Sequence, residues 1–574
     1  MSQAGGAHGW PAENGRHDSA LRVLILGGYG TFGGRLVELL ASDDRFELLS
    51  AGRSEARAAA FIRSLPPGAE KRPVALDRDH GFSETLAFLR PDVVVDATGP
   101  FQVYGAEPYR VVEACLAQGI SYVDLADGSD FVAGIGRFDI TARQRGVFLL
   151  SGVSSFPVLT AAVVRRLATD MDTVMSVTAG IAPSPYAGIG LNVIRAIASY
   201  AGQPVGIWWG GAASTAHAFT ETMKAAVAPP GHLPVRETLF ALVDVPDNRV
   251  LPRYWPGLRS VWIGVGPTPA LLFRGLIGLA WLVRLGLLPS LSPLARLLHW
   301  ACNTIRWGEN RGAMFVRVGG VRNGTAAERS WHMIAEGGDG PMVPSMAAAA
   351  ILRRCVAGVR PPAGARNAIE DVSLDDYEAI FRGRRIVTGV REPPGQDAPL
   401  YRRVLGPAWD ALPPAIRAMH TVGGESRAEG VADIENGDGL IARLVRRAFG
   451  FPKAGRAVPV TVHFKTRDGG EVWDRSFAGQ SMSSVQDEGC GGWSGLVVER
   501  FGPLAFGLAP VVERGRLRLI LRRWSAFGLW MPLWLAPYGE AHEAEEDGRF
   551  RFQVEIAHPL TGLIVRYRGW LAPL

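Results

Sequence analysis

A short apolar run, Arg22–Leu26, passes directly into Gly28-Tyr29-Gly30-Thr31-Phe32-Gly33 and then into a helix-forming segment, Arg35–Ser42. This order constrains the fold more than any other feature of the chain. A buried strand that enters a glycine loop at the head of a helix is the opening unit of a doubly wound α/β sheet. Gly28 is expected to permit the tight turn, Gly30 to let a pyrophosphate approach the backbone, and Gly33 to let the helix pack on the sheet. The helix N-terminus then offers free N–H groups and a positive dipole end to the phosphates. Gly28, Tyr29, Gly30, Thr31, Phe32 and Gly33 are therefore candidate cofactor contacts; a ligand-free glycine turn is the plainer alternative.

Five more runs follow: Phe46–Ala51, Pro73–Leu76, Asp92–Ala97, Tyr122–Leu125 and Val147–Leu150. Each is rich in Val, Ile and Leu without clean alternation, as expected of parallel strands covered on both faces. Helical patterns lie between them, so residues 21–155 read as a Rossmann-type parallel sheet.

The end of the second strand selects the cofactor. An acidic residue there would bind the ribose hydroxyls of NAD. This chain has Ser50-Ala51-Gly52-Arg53-Ser54 instead. Arg53 can pair with a 2′-phosphate and Ser54 can donate to it, with Arg57 one turn further on, so NADP is favoured; a solvated Arg53 with no ligand is the alternative. The fourth strand ends in Asp96-Ala97-Thr98-Gly99-Pro100-Phe101, which places Gly99 and Pro100 beside the nicotinamide half. Asp124 and Asp127 sit at or just past the end of the fifth strand, facing the same crevice, and either can orient a substrate or move a proton. Tyr104 is a third candidate catalytic group. A cap on the following helix is the competing role for Asp127.

Beyond residue 155 the signals weaken. Residues 156–340 read as an α+β substrate or dimerisation domain, with a hairpin over Met314–Glu336 turning at Arg322-Asn323-Gly324. Within this domain, Leu271–Leu298 is very apolar, but its charge-free core between Arg274 and Arg284 is too short to span a bilayer. It is expected either to be buried, including in a homodimer interface, or to rest on a membrane surface. Residues 344–357 form an Ala-rich helix, and 360–400 read as a linker. Residues 401–574 alternate apolar and polar positions, as at Val460, Val462 and Phe464, which predicts a mainly antiparallel β domain with one wet face. Trp524, Trp530 and Trp534 in it are expected either to be buried, at a dimer interface or against the first domain, or to mouth a pocket for a lipid-like ligand. Residues 1–20 are expected to be a disordered tail.

Composition narrows the function. The 574 residues carry a net charge of only +6 and no Lys/Arg block with interleaved aromatics, which argues against a nucleic-acid partner. The four cysteines are far apart, and they and the histidines show no metal spacing, so no metal is expected and a reducing cytoplasm is the expected setting.

Together these segments resemble the saccharopine dehydrogenase-like family. The carriers are Leu-Gly-Gly-Tyr-Gly-Thr-Phe-Gly-Gly at 26–34, Asp-Ala-Thr-Gly-Pro-Phe with Tyr-Gly at 96–105, Tyr-Val-Asp-Leu-Ala-Asp at 122–127 and Gly-Val-Ser-Ser-Phe-Pro at 152–157. The resemblance implies that Gly28, Gly30 and Gly33 hold the pyrophosphate of NADP and that Arg53 and Ser54 select it. It places Asp77 near the adenine, Thr98, Gly99 and Pro100 near the nicotinamide ribose, and returns the 344–357 helix to the first domain. Residues 401–574 resemble a domain of unknown function fused to such oxidoreductases, which draws the substrate away from saccharopine. The family includes lipid- or membrane-associated relatives and a trans-acting enoyl reductase of complex-lipid synthesis. The expected function is an NADP-dependent reductase of a C=N or C=C bond in a small or lipid-like substrate. A non-catalytic, NADP-binding protein peripheral to the membrane is the second reading.

Overall fold

The computed structural model describes residues 20–392 and 398–574; almost all of the tail expected over 1–20 lies outside them. The chain divides into two compact units, one running up to Met223 and continuing over 239–328 and 335–386, the other formed by 224–238, 329–334 and 387–574.

The first unit opens with β1 (Leu21–Leu26), α1 (Gly33–Leu40), β2 (Phe46–Gly52), α2 (Glu55–Arg63), β3 (Glu70–Ala75), α3 (Phe82–Leu89), β4 (Val93–Asp96), α4 (Arg110–Ala117), β5 (Ser121–Asp124), α5 (Ser129–Gly134), α6 (Asp139–Gln144) and β6 (Phe148–Ser151). The strands lie in the order β6-β5-β4-β1-β2-β3, all parallel. Every residue of β4, β5 and β6 is buried, so these strands carry no polar alternation. Strand order reverses between β1 and β4, which opens a crevice at the carboxyl ends of the strands.

The chain then builds α7 (Thr160–Leu167), β7 (Thr173–Ala182), α8 (Leu191–Tyr200), β8 (Pro204–Trp209), β9 (Ala212–His217), β10 (Thr222–Val227), β11 (Val235–Leu242), α9 (Asp247–Tyr254), β12 (Ser260–Val265), α10 (Ala270–Arg284), α11 (Ala295–Thr304), β13 (Arg311–Arg322) and β14 (Thr325–Glu336). They make a mixed sheet: β12 runs parallel to β7, β13 antiparallel to it, and β8 pairs with β12 and β9. Asn323 and Gly324 both take positive φ at the β13–β14 turn. The apolar 271–298 stretch is not fully covered within the chain. Leu271, Trp281, Leu282, Leu285, Leu287 and Leu297 are exposed on α10, α11 and the loop between them.

α12 (Val343–Val356) lies against α1, where Ser345 Oγ donates to Phe32 O (2.9 Å) and Arg353 to Leu39 O (2.8 Å). The 360–400 stretch is more than a linker. It contains β15 (Gly364–Asn367), α13 (Leu374–Phe381) and β16 (Ile386–Arg391), and β15 adds a seventh parallel strand beside β6. Its sequence, Gly-Ala-Arg-Asn, lacks an apolar run because one short edge strand needs little side-chain burial.

The second unit contains α14 (Leu400–Leu405), α15 (Pro414–Met419), β17 (Glu425–Asn436), α16 (Leu440–Phe449), β18 (Gly455–Arg467), β19 (Gly470–Phe477), β20 (Gln480–Glu488), β21 (Val497–Phe501), β22 (Leu504–Glu513), β23 (Arg516–Ala526), β24 (Leu529–Met531), β25 (Ala541–Glu546), β26 (Arg549–His558) and β27 (Gly562–Pro573). The strands run β22-β21-β20-β19-β18-β17-β27-β26-β25-β23-β24, and β22 also pairs with β23. The antiparallel sheet therefore closes into a barrel of β17–β23 and β25–β27, with β24 outside on β23. Closure removes the free edges that an open sheet would expose. Val460, Val462 and Phe464 are buried within it, and α14 and α15 add Leu400, Tyr401, Val404, Ile416 and Met419 to the same core.

Candidate functional site

The glycine loop is built by close approach. Gly27 takes φ +72°, so the left-handed turn falls one residue before Gly28, where the sequence had placed it. Gly28 is required for space instead: a Cβ there would lie 2.6 Å from Ser50 Oγ and 2.9 Å from Ile25 O. On Gly33 it would lie 2.3 Å from Gly27 O. On Gly30 it would meet only the Gly27 carbonyl group, its oxygen at 3.0 Å, and Gly30 is exposed. The loop is thus packed on its protein side and open on the other. α1 begins there with no side-chain cap. An open glycine cradle before an uncapped helix fits a dinucleotide pyrophosphate.

At the end of β2, the Tyr29 hydroxyl accepts from Ser54 N (3.0 Å) and the Arg57 guanidinium lies 5.2 Å from the Tyr29 ring centre. Ser54 Oγ accepts from Arg57 N as the N-cap of α2, leaving its hydroxyl proton free to donate outward. Arg53 is exposed beside it. Asp77, just past β3, is held below the ordinary carboxylate range, chiefly by the Asp79 N–H, with His80 and Arg53 adding to it. Cationic and hydroxyl groups therefore gather where the second ribose of a dinucleotide would lie.

Carboxyl groups line the crevice beyond β4 and β5. Asp96 is wholly buried, and its Oδ1 accepts from Thr98 N (3.0 Å) and Thr98 Oγ1 (2.6 Å). Tyr104 OH lies 2.7 Å from Thr98 Oγ1 and donates to Asp96 at 3.3 Å, with the Arg78 guanidinium 3.5 Å from its ring centre. Burial first, then Asp96, pushes the Tyr104 hydroxyl well above its ordinary value. Asp124 is also wholly buried: Ala126 N (3.0 Å), Ser151 Oγ (3.0 Å) and Gly152 N (2.8 Å) all donate to Oδ1, tying β5 to β6. Burial lifts its carboxyl to about 7 against those donors.

Asp127 differs. It is reached by solvent, yet protein crowds it enough that desolvation raises its carboxyl, opposed by Gln102 and helped by the charge of Asp244. Gln102 Nε2 donates to its Oδ1 at 3.1 Å. It does not cap α5, whose N-cap is Gly128 with no side-chain bond. Ser129 Oγ donates to Asp244 Oδ1 (2.7 Å) and Asn192 Nδ2 to Gly99 O (3.1 Å), so α8 and the segment after β11 complete the crevice wall.

Residues 23–140 match the saccharopine dehydrogenase NADP binding domain. Residues 412–571 match a domain of unknown function, DUF4166. Among solved structures, the chain is similar to saccharopine dehydrogenase (L-Glu forming) from Saccharomyces cerevisiae, with 13% identity and a TM-score of 0.45, over 65% of this chain and 100% of that one. It is also similar to biliverdin reductase in complex with biliverdin and NADP+ from Synechocystis sp. PCC 6803, with 14% identity and a TM-score of 0.27, over 63% and 96%. Comparison with curated proteins gave no match.

The first parallel sheet thus brings Gly28–Gly33, Arg53, Ser54, Asp77 and Thr98–Pro100 to its carboxyl edge. It separates the three candidate catalytic groups. Asp124 and Tyr104 turn their polar atoms into the protein, Asp124 with Oδ1 bonded three times and Oδ2 buried without a partner, and Asp127 stays open to solvent. The sequence did not single out Arg78, one residue beyond Asp77, or Gln102, which lies inside the 96–105 segment between Phe101 and Tyr104. Nor did it single out Asn192 and Asp244, which no local pattern announces because the chain returns to the crevice only after β6. Among the described residues no group of three or more His, Cys, Asp or Glu is placed to hold a metal.

Proposed function

We propose that the chain is an NADP(H)-dependent oxidoreductase that reduces a C=N or C=C bond of a substrate held beside Gly99–Gln102. The observation that carries this reading is Asp127, a solvent-reachable carboxyl with a raised pKa in the nucleotide crevice. The nicotinamide supplies a hydride when bound. The chain's own residues do the rest. Gly30 and the head of α1 receive the pyrophosphate, and Arg53 and Ser54 take the 2′-phosphate. Asp77 flanks the adenine side, and Thr98, Gly99 and Pro100 border the nicotinamide ribose. Asp127 holds the proton, and Gln102 fixes one of its oxygens. Asp124 and Tyr104 position the strand ends that form the crevice floor.

A second reading, an NADP-binding protein that rests on a membrane without catalysing, draws support from the exposed leucines and Trp281 of 271–297. No described helix is long and apolar enough to cross a membrane. NADPH consumption by the purified chain, with a panel of conjugated enones and imines, separates the two. The proposal expects turnover with at least one compound and a loss of 100-fold or more in Asp127→Asn at unchanged NADPH affinity, at the lower end of what general acids contribute, about 10²–10⁴-fold. Silence across the panel, or full activity in Asp127→Asn, overturns it.

A further inference from the structure

We propose that the closed barrel of the second unit is a lipid-binding site whose interior takes one long-chain hydrocarbon with an uncharged oxygen-bearing head, such as a fatty alcohol or ester. This inference concerns residues 400–574 alone and does not rest on the nucleotide reading.

A barrel of this many strands encloses more space than its side chains fill. The cavity here has a volume of about 1410 Å³, beyond the roughly 300–1,000 Å³ of ordinary small-molecule sites. Its wall is dominated by Phe, Leu, Val, Ile and Trp side chains, among them Phe506, Leu519, Trp524, Phe552, Val554 and Ile556. Such a wall stabilises hydrocarbon by removing it from water.

The two ends differ. α15 meets the barrel near the β25–β26 turn, where Ala415 N donates to Glu545 (2.7 Å) and His420 pairs with Glu543 (2.6 Å), and the rim of the cavity at that end is charged, with Glu513, Arg514 and Arg516 of the adjoining β22–β23 turn. At the β26–β27 turn, large apolar side chains face water: Leu560 is 77% exposed, Trp534 73% and Ile441 56%, and all three also line the cavity. The segment bearing Trp534 is tied to this end by His558 Nε2 and Leu535 O (3.2 Å) and by the Tyr538–Ala557 bridge. α16 joins it through Arg446, which donates to Ile564 O (3.1 Å), and leaves Leu440 and Leu444 exposed with Arg443 and Arg447 on the same helix. The wall is also weak on one side. β23 and β25 pair at only Leu517↔Glu543 and Arg518↔His542. A mouth rimmed by exposed Leu, Ile and Trp beside arginines suits loading from a membrane surface.

The polar part of the lining sets the head group. Arg475 bonds Glu499 (3.1 Å) and Ser484 (2.9 Å), while Ser484 Oγ (2.7 Å) and Gln486 Nε2 (3.2 Å) donate to the same Glu499 oxygen. This cluster is already charge-balanced, so an ionised head seated beside it would bring in a charge with no partner there, which low-dielectric surroundings penalise; the other arginines of the lining, Arg514, Arg516 and Arg518, are exposed around the β22–β23 turn. Two lining residues, Tyr401 and Gln486, have a polar atom without a partner, the Tyr401 hydroxyl and Gln486 Oε1. An alcohol or ester oxygen matches such neutral groups.

The test is native mass spectrometry of the delipidated full chain with oleyl alcohol and, separately, sodium oleate below its micelle concentration. The proposal expects one oleyl alcohol per chain, bound at least tenfold more tightly than oleate. Val554→Trp, which fills the cavity, should weaken it tenfold or more. Trp534→Ser, at the exposed rim where folding is not at stake, should slow uptake from phosphatidylcholine vesicles several-fold. NADPH affinity should be unchanged in both. No one-to-one complex with the alcohol overturns the proposal. So does oleate binding as tightly, or unaltered uptake in Trp534→Ser together with unaltered affinity in folded Val554→Trp.

Discussion

Replacing Asp124 by Asn tests whether this carboxyl is a structural knot and not a working acid. Its side chain is wholly buried, and burial lifts it from 3.8 to about 7, roughly three units. One unit corresponds to about 1.4 kcal/mol, so ionising the folded-state carboxyl costs stability about 4 kcal/mol. The sign follows from a raised carboxyl. Its contribution is fully present below the unfolded value near 4 and is lost as pH rises through about 7. Asn keeps an acceptor for Gly152 N, Ala126 N and Ser151 Oγ and does not titrate. Between about pH 4 and pH 8 the variant should therefore gain on the wild type by a few kcal/mol, measured by urea unfolding at both pH values. NADPH affinity should not move. A wild-type-to-variant gap that is the same at both pH values refutes the buried-knot assignment.

Three other outcomes are expected. Arg53→Ala should weaken NADPH binding about tenfold or more, because a hydrogen bond to a charged group contributes about 1.5–3 kcal/mol, and leave NADH binding nearly unchanged; calorimetry reads both. If Asp127 donates the proton, kcat of the active chain should fall as pH rises through its raised value, and Asp127→Asn should flatten that limb. Changing Leu271, Trp281 and Leu285 to Ser should abolish co-sedimentation with anionic liposomes without unfolding the chain; no sedimentation by the native protein, with a dimer that dissociates in the variant, assigns this face to self-association instead.

The first domain was legible because its physics is local. Strands covered on both faces must be continuous apolar runs, and six of them stood in the sequence within a residue or three of where they lie. The exceptions have physical causes. β15 is four residues long at a sheet edge, so Gly364–Asn367 had no hydrophobic signal to offer. The turn glycine is Gly27 and not Gly28, because a sequence pattern fixes spacing but not which residue takes positive φ. Asp124 and Asp127 looked equivalent, three residues apart. Only the return of Ser151 and Gly152 to Asp124, and of Gln102 and Asp244 to Asp127, distinguishes the buried knot from the accessible carboxyl. In the last domain, alternation at Val460–Phe464 predicted strands with two unlike faces. Closure depends on β22 pairing with β23 and β17 with β27, and the second of these joins residues more than a hundred positions apart.

Arg53 and Ser54, at the end of β2, are proposed to select NADP(H) over NAD(H). Titrating the unmodified chain with NADPH and with NADH in the same buffer should show NADPH binding at least about tenfold tighter than NADH; equal affinity for the two would remove the 2′-phosphate role of Arg53 and Ser54.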